Sequence, residues 1–487
     1  MAESASRKGP GPNILWLCTD QQRYDTLGVT GNTFDRTPNL DRLAAEGVLF
    51  DRAYCQNPLC TPSRASFLTG RYPRTTRARQ NGQGIPADEV LVTRLLADAG
   101  YLCGLAGKLH LSPCHPSVCP VTERRIDDGY AEFHWSHHPF PDWPGNEYIH
   151  WLHERGVAFG RQPSELTPYV QSGMPAEYHQ TTWCASKAVE FIERAASGGR
   201  PWLFSFNCFD PHPSFDPPRQ FLERYLPRLD DIPLPDYRPG ELDDKPPHQK
   251  RNRERMRFAV AGTPIPAPQT DRDHRLVRAA YWAMVDLIDA QVGRMLEALD
   301  RTGQRDNTLV IFMSDHGEML GDHGLYLKGG YFYEHAVHMP LIVAWQGRFR
   351  AGRRSRALVE FTDLAPTLLE AAGLDRGTGM QGRSFWPLLI GAAPLHEHRE
   401  DVYAECLNSH EPERGLDLGM VRTDRWKLVV VHGEDAGELY DLKDDPSETH
   451  NRWSDQAHQG VKLEMLRRLC DRMAWTVDPL PVHQASW

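Results

Sequence analysis

Short apolar runs, rich in β-branched and aliphatic residues, alternate along this chain with segments whose apolar positions recur every three to five residues. The runs at 13–18, 101–106, 202–207, 309–313 and 341–345 read as strands buried on both faces. Helical spacing marks 40–46, 91–99 and, longest of all, 276–299. There Leu276, Ala280, Ala283, Leu287, Val292, Met295 and Leu299 make one apolar stripe. Strands alternating with helices predict an α/β fold, a large and mostly parallel sheet sandwiched by helices.

Two stretches break the rhythm. Residues 127–151 are crowded with aromatics, His and Pro, and 211–271 are rich in Pro and charge. Both read as excursions at the edge of the sheet. From about residue 400 the pattern changes: 418–431 and 437–442 read as antiparallel strands joined through a turn at 433–437, and 461–474 as a final helix. The expected organisation is a catalytic α/β domain over 1–398 and a small α+β domain over 399–487. At 487 residues the chain is too long for a single core.

Composition narrows the picture further. A formal net charge of −10 argues against nucleic acid or an acidic membrane as the partner. The basic segment 348–356 reads as a solvated loop after a strand. The first dozen residues are polar, with no apolar stretch and no cleavage site, so a cytoplasmic chain starting at Met1 is expected. The ten cysteines are scattered, which fits a reducing compartment. Cys114 and Cys119, with His110 and His115 nearby, have neither a standard zinc spacing nor freedom from intervening prolines, so zinc is not expected there.

Ligands of open α/β sheets bind beyond the carboxyl ends of the strands. Four predicted strands deliver polar residues at that point: Asp20-Gln21, Lys108 with His110, Asp210-Pro211-His212-Pro213, and Asp315-His316. One such acid is usually a helix cap; four on one rim make a site. Asp20, Gln21 and Asp315 are hard oxygen donors and His316 adds a nitrogen, which suits calcium first, with manganese or magnesium as alternatives. Arg64 lies four residues beyond Cys60, on the first turn of a helix that Pro62 could start. A lone Cys60 would read as a buried thiol.

The segment Cys60-Thr61-Pro62-Ser63-Arg64, followed by Leu68-Thr69-Gly70, resembles the C-x-P-x-R…L-T-G signature of the formylglycine-dependent (type I) sulfatases. Gly107-Lys108-Leu109-His110, Ser314-Asp315-His316-Gly317-Glu318, Asp322-His323-Gly324 with Lys328, Thr37–Ala44 and Glu438–Glu448 match further segments of that family, so the resemblance spans most of the chain. It implies an alkaline-phosphatase-like fold and a sulfuric ester hydrolase. Cys60 would be oxidised by a formylglycine-generating enzyme to an aldehyde whose hydrate attacks sulfur. One divalent cation would be held by Asp20, Gln21, Cys60, Asp315 and His316. Arg64, Lys108, His110, His212 and Lys328 would be catalytic, with His212 or Lys328 as the acid and His110 as the base that releases the covalent sulfate. Gln21 stands where the family usually has a second acid, a departure shared with phosphonate monoester hydrolases, which leaves the metal open.

That related class, hydrolysing phosphonate monoesters or phosphodiesters, is the alternative. It is usually described with Tyr and Thr where this chain has Lys108 and His110, and a lysine pair suits sulfate. A carbohydrate-binding relative with a decayed site is a further alternative, although no expected catalytic residue is missing. The substrate is expected to be a small sugar or aryl sulfate ester. Around the mouth, His134, Trp135, His137, His138 and Trp143, or His335 and His338, either line the pocket or pack the excursions themselves. Asp322 and His323 read as supports for the loop that presents Lys328. The 211–271 excursion is of the kind that makes homo-oligomer contacts.

Overall fold

The computed structural model describes residues 11–34, 36–139, 143–260, 263–407 and 415–482. The expectation for the N-terminal dozen therefore lies almost wholly outside the described residues. Eight strands build the main sheet: β1 (Asn13–Thr19), β2 (Val48–Phe50), β3 (Leu102–Gly107), β4 (Glu132–Trp135), β5 (Trp202–Asn207), β6 (Thr308–Ser314), β7 (Leu341–Ala344) and β8 (Arg353–Ser355). Their spatial order is β8-β2-β7-β6-β1-β5-β3-β4. β7 alone runs antiparallel to its neighbours. The other pairings are parallel.

Along β1, alternate side chains enter opposite cores. Ile14, Trp16 and Cys18 face one apolar cluster with Ile311 and Met313 of β6. Leu15 and Leu17 face another with Val310 and Phe312. Both faces are buried, so the strands read as continuous apolar runs. Helices α1 (Pro38–Glu46), α4 (Gln180–Ala195) and α5 (Asp271–Arg301) contribute to the second cluster. Helix α3 (Val92–Asp98) and α6 (Leu364–Ala371) pack into the first. Helix α5 is longer than the spacing suggested, because Thr270 caps its start by accepting from the Asp273 N–H at 3.1 Å.

Helix α2 (Cys60–Thr69) starts at Cys60 itself, two residues before the proline expected to begin it. All ten of its residues are buried. It therefore has no polar face and no stripe for periodicity to find.

The two excursions add to the sheet's margin. The first supplies edge strand β4. The second packs Phe215, Phe221, Leu222 and Tyr225 against Leu276, Ala280 and Ala283 of α5. The basic segment read as a loop contains β8.

The chain ends in a small antiparallel sheet, β9 (Asp401–Cys406), β10 (Leu418–Thr423), β11 (Trp426–Val431) and β12 (Ala436–Asp441), crossed by helix α7 (Gln459–Trp475). The stretch 418–431 is two strands, since the polar Asp424-Arg425 pair turns the chain. β9 was not foreseen. Val402, Leu418, Met420 and Val429 join the first core, so this sheet shares apolar packing with the large one.

One histidine makes the fold sensitive to acid. His179 caps α4 by accepting, at Nδ1, from the Thr181 N–H. Burial holds its pKa down at about 4. An unfolded histidine takes its proton near 6.5, so the native state gives full benefit above that value. Stability then falls as pH drops from about 6.5 through 4, by about 1.4 kcal/mol per pH unit from this residue alone. Urea midpoints measured at pH 7.5 and pH 5 should differ less in His179→Asn, which keeps a cap that does not titrate; an equal difference would reject this assignment.

Candidate active site

Parallel pairing in register sets the rim of the site. Thr19 lies opposite Ser314, and both Cys18 and Gly107 lie opposite Asn207, so β1, β3, β5 and β6 end level. Just beyond them come Asp20, Lys108, Asp210 and Asp315. Backbone bonds lock these together: the Asp20 N–H donates to Asp210 O (3.1 Å), Lys108 to Asn207 (2.9 Å) and Asp315 to Thr19 (3.2 Å). Gly107, at φ 106°, permits the turn into Lys108, since a Cβ there would sit 2.0 Å from the Asn207 carbonyl oxygen. Gln21 (φ 69°) and His110 (φ 57°) also hold the left-handed backbone, which costs a non-glycine residue roughly 1–2 kcal/mol and recurs at functional sites.

Cys60 occupies the first turn of α2, where the helix N-terminus favours negative charge. Its Sγ lies 3.1 Å from His316 Nε2, 3.2 Å from Lys328 Nζ and 3.7 Å from Asp20 Oδ1. Burial opposes the thiolate, but Lys108, Lys328 and His316 outweigh it and hold Cys60 well below the ordinary thiol range. Arg64, one turn on, is fully buried. It donates from Nε to Asp315 Oδ2 (2.8 Å) and from Nη1 to the Lys108 carbonyl (2.9 Å), which fastens α2 to two strand ends.

The two carboxylates share a design. Asp20 gives Oδ2 to Lys108 and Asp315 gives Oδ2 to Arg64, so both turn Oδ1 toward His316 Nε2, at 3.6 Å each. His316 Nδ1 lies 3.1 Å from the Gly317 carbonyl oxygen, which fixes the tautomer with Nε2 as ligand atom. One ligand atom each from Asp20, Cys60, Asp315 and His316 falls within 4.8 Å of the others. Gln21 adds Oε1, which accepts from Lys328 Nζ at 2.6 Å. Two carboxylates, an amide oxygen and one imidazole fit a hard divalent cation.

The sequence-predicted catalytic residues border this point. Burial opposes charge on Lys108, yet Asp20 holds its ammonium above the ordinary range. Burial, and then the charge of Lys108, bring His110 down to about 4. Burial and Lys328 hold His212 well below the ordinary histidine range, and its Nδ1 lies 2.6 Å from the Pro213 carbonyl oxygen. Asp322 accepts from Arg23 (2.6 Å) and from the Asp236 N–H (2.6 Å). His323 stacks on Tyr333 at 3.7 Å. Both hold the loop before Lys328.

Of the residues weighed for the pocket mouth, Trp135 and Trp143 pack edge-on in a small cluster with Cys119. His134 pairs with Glu147 at 2.7 Å. His338 stacks on Tyr24 and Tyr54, and His335 sits 3.6 Å from Asp322. His137 does reach the site, 4.4 Å from the His110 ring.

Two supporting acids were not foreseen. Glu318 accepts from Gln21 and from the Leu320 N–H (3.1 Å). Glu123 accepts from the His110 and Leu111 N–H groups (3.0 Å each) and from Trp135 Nε1 (2.8 Å). Glu318 closes the Ser314–Glu318 segment and could have been suspected; Glu123, thirteen residues from His110, carried no signal.

A model of the sulfatase family matches residues 12–374. The chain belongs to the sulfatase family. A model of the C-terminal region of N-sulphoglucosamine sulphohydrolase matches residues 321–474 of this sulfatase. It is 28% identical to an arylsulfatase of Clostridium perfringens over 94% of this chain and 93% of that protein. It is 30% identical to an uncharacterized sulfatase of Escherichia coli K12 over 98% and 90%. Its fold superposes on a phosphonate monoester hydrolase of Agrobacterium radiobacter with a TM-score of 0.85 at 27% identity, covering 97% of this sulfatase and 98% of that chain. The enzyme is thus a sulfuric ester hydrolase of alkaline-phosphatase-like fold. Among the described residues no helix is long and apolar enough to cross a membrane.

Proposed function

We propose that this enzyme hydrolyses a small sulfate monoester, of a sugar or an aryl alcohol, through formylglycine at position 60. The observation that carries the reading is Cys60 at the start of α2, within 3.7 Å of His316, Lys328 and Asp20. When oxidised, position 60 supplies an aldehyde hydrate, one hydroxyl for attack on sulfur and a second whose deprotonation expels sulfate. Asp20, Gln21, Asp315 and His316 would hold the divalent cation, calcium by donor type, which supplies positive charge to the sulfate oxygens.

The side chains divide the remaining work. Lys108 and Lys328 bring two ammonium groups to the sulfate oxygens, where charge gathers in the transition state. Arg64 holds Asp315 and α2 in place. Lys328 is the better placed acid for the leaving alkoxide, because His212 is held neutral and its Nδ1 is engaged at Pro213. His110, neutral above about pH 4, accepts the proton from the second hydroxyl.

A second reading, phosphonate monoester hydrolysis, is favoured by the close superposition on the Agrobacterium radiobacter enzyme. The test is kcat/KM for an aryl sulfate against an aryl phosphonate monoester. The protein should be co-expressed with a formylglycine-generating enzyme and its conversion at position 60 confirmed by peptide mass. A preference for sulfate of at least tenfold is expected, and a preference for phosphonate would overturn the substrate class. An unmodified Cys60 peptide in protein that still turns over would overturn the nucleophile.

A further inference from the structure

Behind His110 a second set of ligand atoms converges. Strands β3 and β4 are parallel neighbours with Gly107 opposite Trp135, so His110 and His137 leave the sheet side by side. Cys114 follows on the same loop as His110. One ligand atom each from His110, Cys114 and His137 lies within 4.8 Å of the others. The two imidazoles meet edge to face.

Three of the imidazole nitrogens here are buried without hydrogen-bond partners, while the partly buried Cys114 thiol donates to the Ser112 carbonyl at 3.2 Å. His137 is 9% exposed, neither of its ring nitrogens is bonded, and Nδ1 of His110 is likewise unbonded. The walls around His137 include the Trp143 and Phe209 rings, with centroids 6.1 and 6.3 Å away. A buried polar atom without a partner costs about 1–3 kcal/mol. A neutral imidazole carries one lone pair and one N–H, so each of the two rings beside the thiol can offer one lone pair to a cation.

We propose that His110, Cys114 and His137 form a second metal site, for zinc or a cation of similar softness, separate from the oxygen-rich site at Asp20 and Asp315. Two imidazoles and a thiolate are zinc donors, whereas carboxylates and an amide oxygen select calcium or magnesium. Zinc takes nitrogen at about 2.0–2.1 Å and sulfur at about 2.3 Å, so the three ligands need only close inward, with solvent as the fourth. Cys114 binds as the thiolate. Its uptake of a cation therefore releases the thiol proton. Cys119 and His115 take no part: Cys119 packs with the tryptophans, and His115 bonds Ser117. His137, from the next strand, replaces them.

The site has a consequence for catalysis. A cation on Nδ1 of His110, the nitrogen without a partner, leaves the ring proton on Nε2, so the ring can no longer accept one. Zinc is then an inhibitor. This consequence rests on the role proposed for His110; the binding does not.

The test is a cobalt(II) titration of metal-stripped Cys60→Ala protein, which lacks the catalytic thiol. A thiolate-to-cobalt charge-transfer band should grow to one equivalent and be lost in Cys60→Ala/Cys114→Ala. His137→Gln, which keeps the thiol, should weaken cobalt binding at least tenfold. No band, or a band that survives loss of Cys114, overturns the site. With converted enzyme and saturating calcium, zinc should inhibit the wild type at least tenfold more strongly than Cys114→Ala. Binding without inhibition would keep the site and overturn the assignment of His110 as base.

Discussion

Cys60→Ala should lose steady-state turnover of an aryl sulfate by on the order of 10⁴-fold or more, the scale seen when a covalent nucleophile is removed. The fold should survive, because a smaller side chain is left on a helix held by Arg64 and by eight other buried residues. Cys60→Ser makes the sharper point. A serine hydroxyl could attack sulfur, but it has no second hydroxyl with which to expel sulfate. It is expected to react at most once, seen as a stoichiometric burst of alcohol with no turnover after it. Sustained turnover by either variant, with the position-60 peptide verified by mass, would mean that some other group attacks. Circular dichroism and a thermal melt on the same samples separate lost chemistry from lost structure.

Lys108→Met should lower kcat by about 10²- to 10³-fold, the usual effect of removing one preorganised charge from a developing oxyanion. Lys108 is well suited to show it. Its ammonium is buried, held charged by Asp20, and anchored at its backbone by Asn207. Methionine fills similar space, so packing against Phe209 is retained. Arginine should not rescue, since a planar fork does not fit a point-charge position in a buried site. Asp20 loses a charge partner in the variant, so weaker calcium binding should accompany the loss if geometry suffers. Titration of calcium against activity will show whether kcat recovers at saturation. Recovery to within threefold would make Lys108 a support for the metal ligands and not a group acting on sulfate.

The sheet was legible because its strands are buried on both faces. The runs at 13–18 and 202–207, and the run at 101–106 seen as Leu102–Gly107, end within a residue or so of the observed strands. Short or polar elements escaped. β8 is Arg353–Ser355, an edge strand whose charges read as loop, and the turn at Asp424-Arg425 has neither Gly nor Pro to announce it. Helix α2 is buried all round and has no amphipathic stripe, so only Pro62 and the resemblance to a known segment marked it.

The site divides in the same way. The sequence alone determined which residues follow the strand ends, and Asp20, Lys108, His110, His212 and Asp315 stand there because apolar runs stop one or a few residues earlier. Local chemistry fixed that much, since strand termini and turn residues are written in neighbouring positions. Only the tertiary structure decided what those residues face. It turned Oδ1 of both carboxylates inward by giving Oδ2 to Lys108 and Arg64. It set His110 on Glu123 and brought His137 beside it from the adjacent strand. Such partners lie 13 to 251 residues apart, and the packing of strands and helices, which no local pattern encodes, is what brings them within bonding distance.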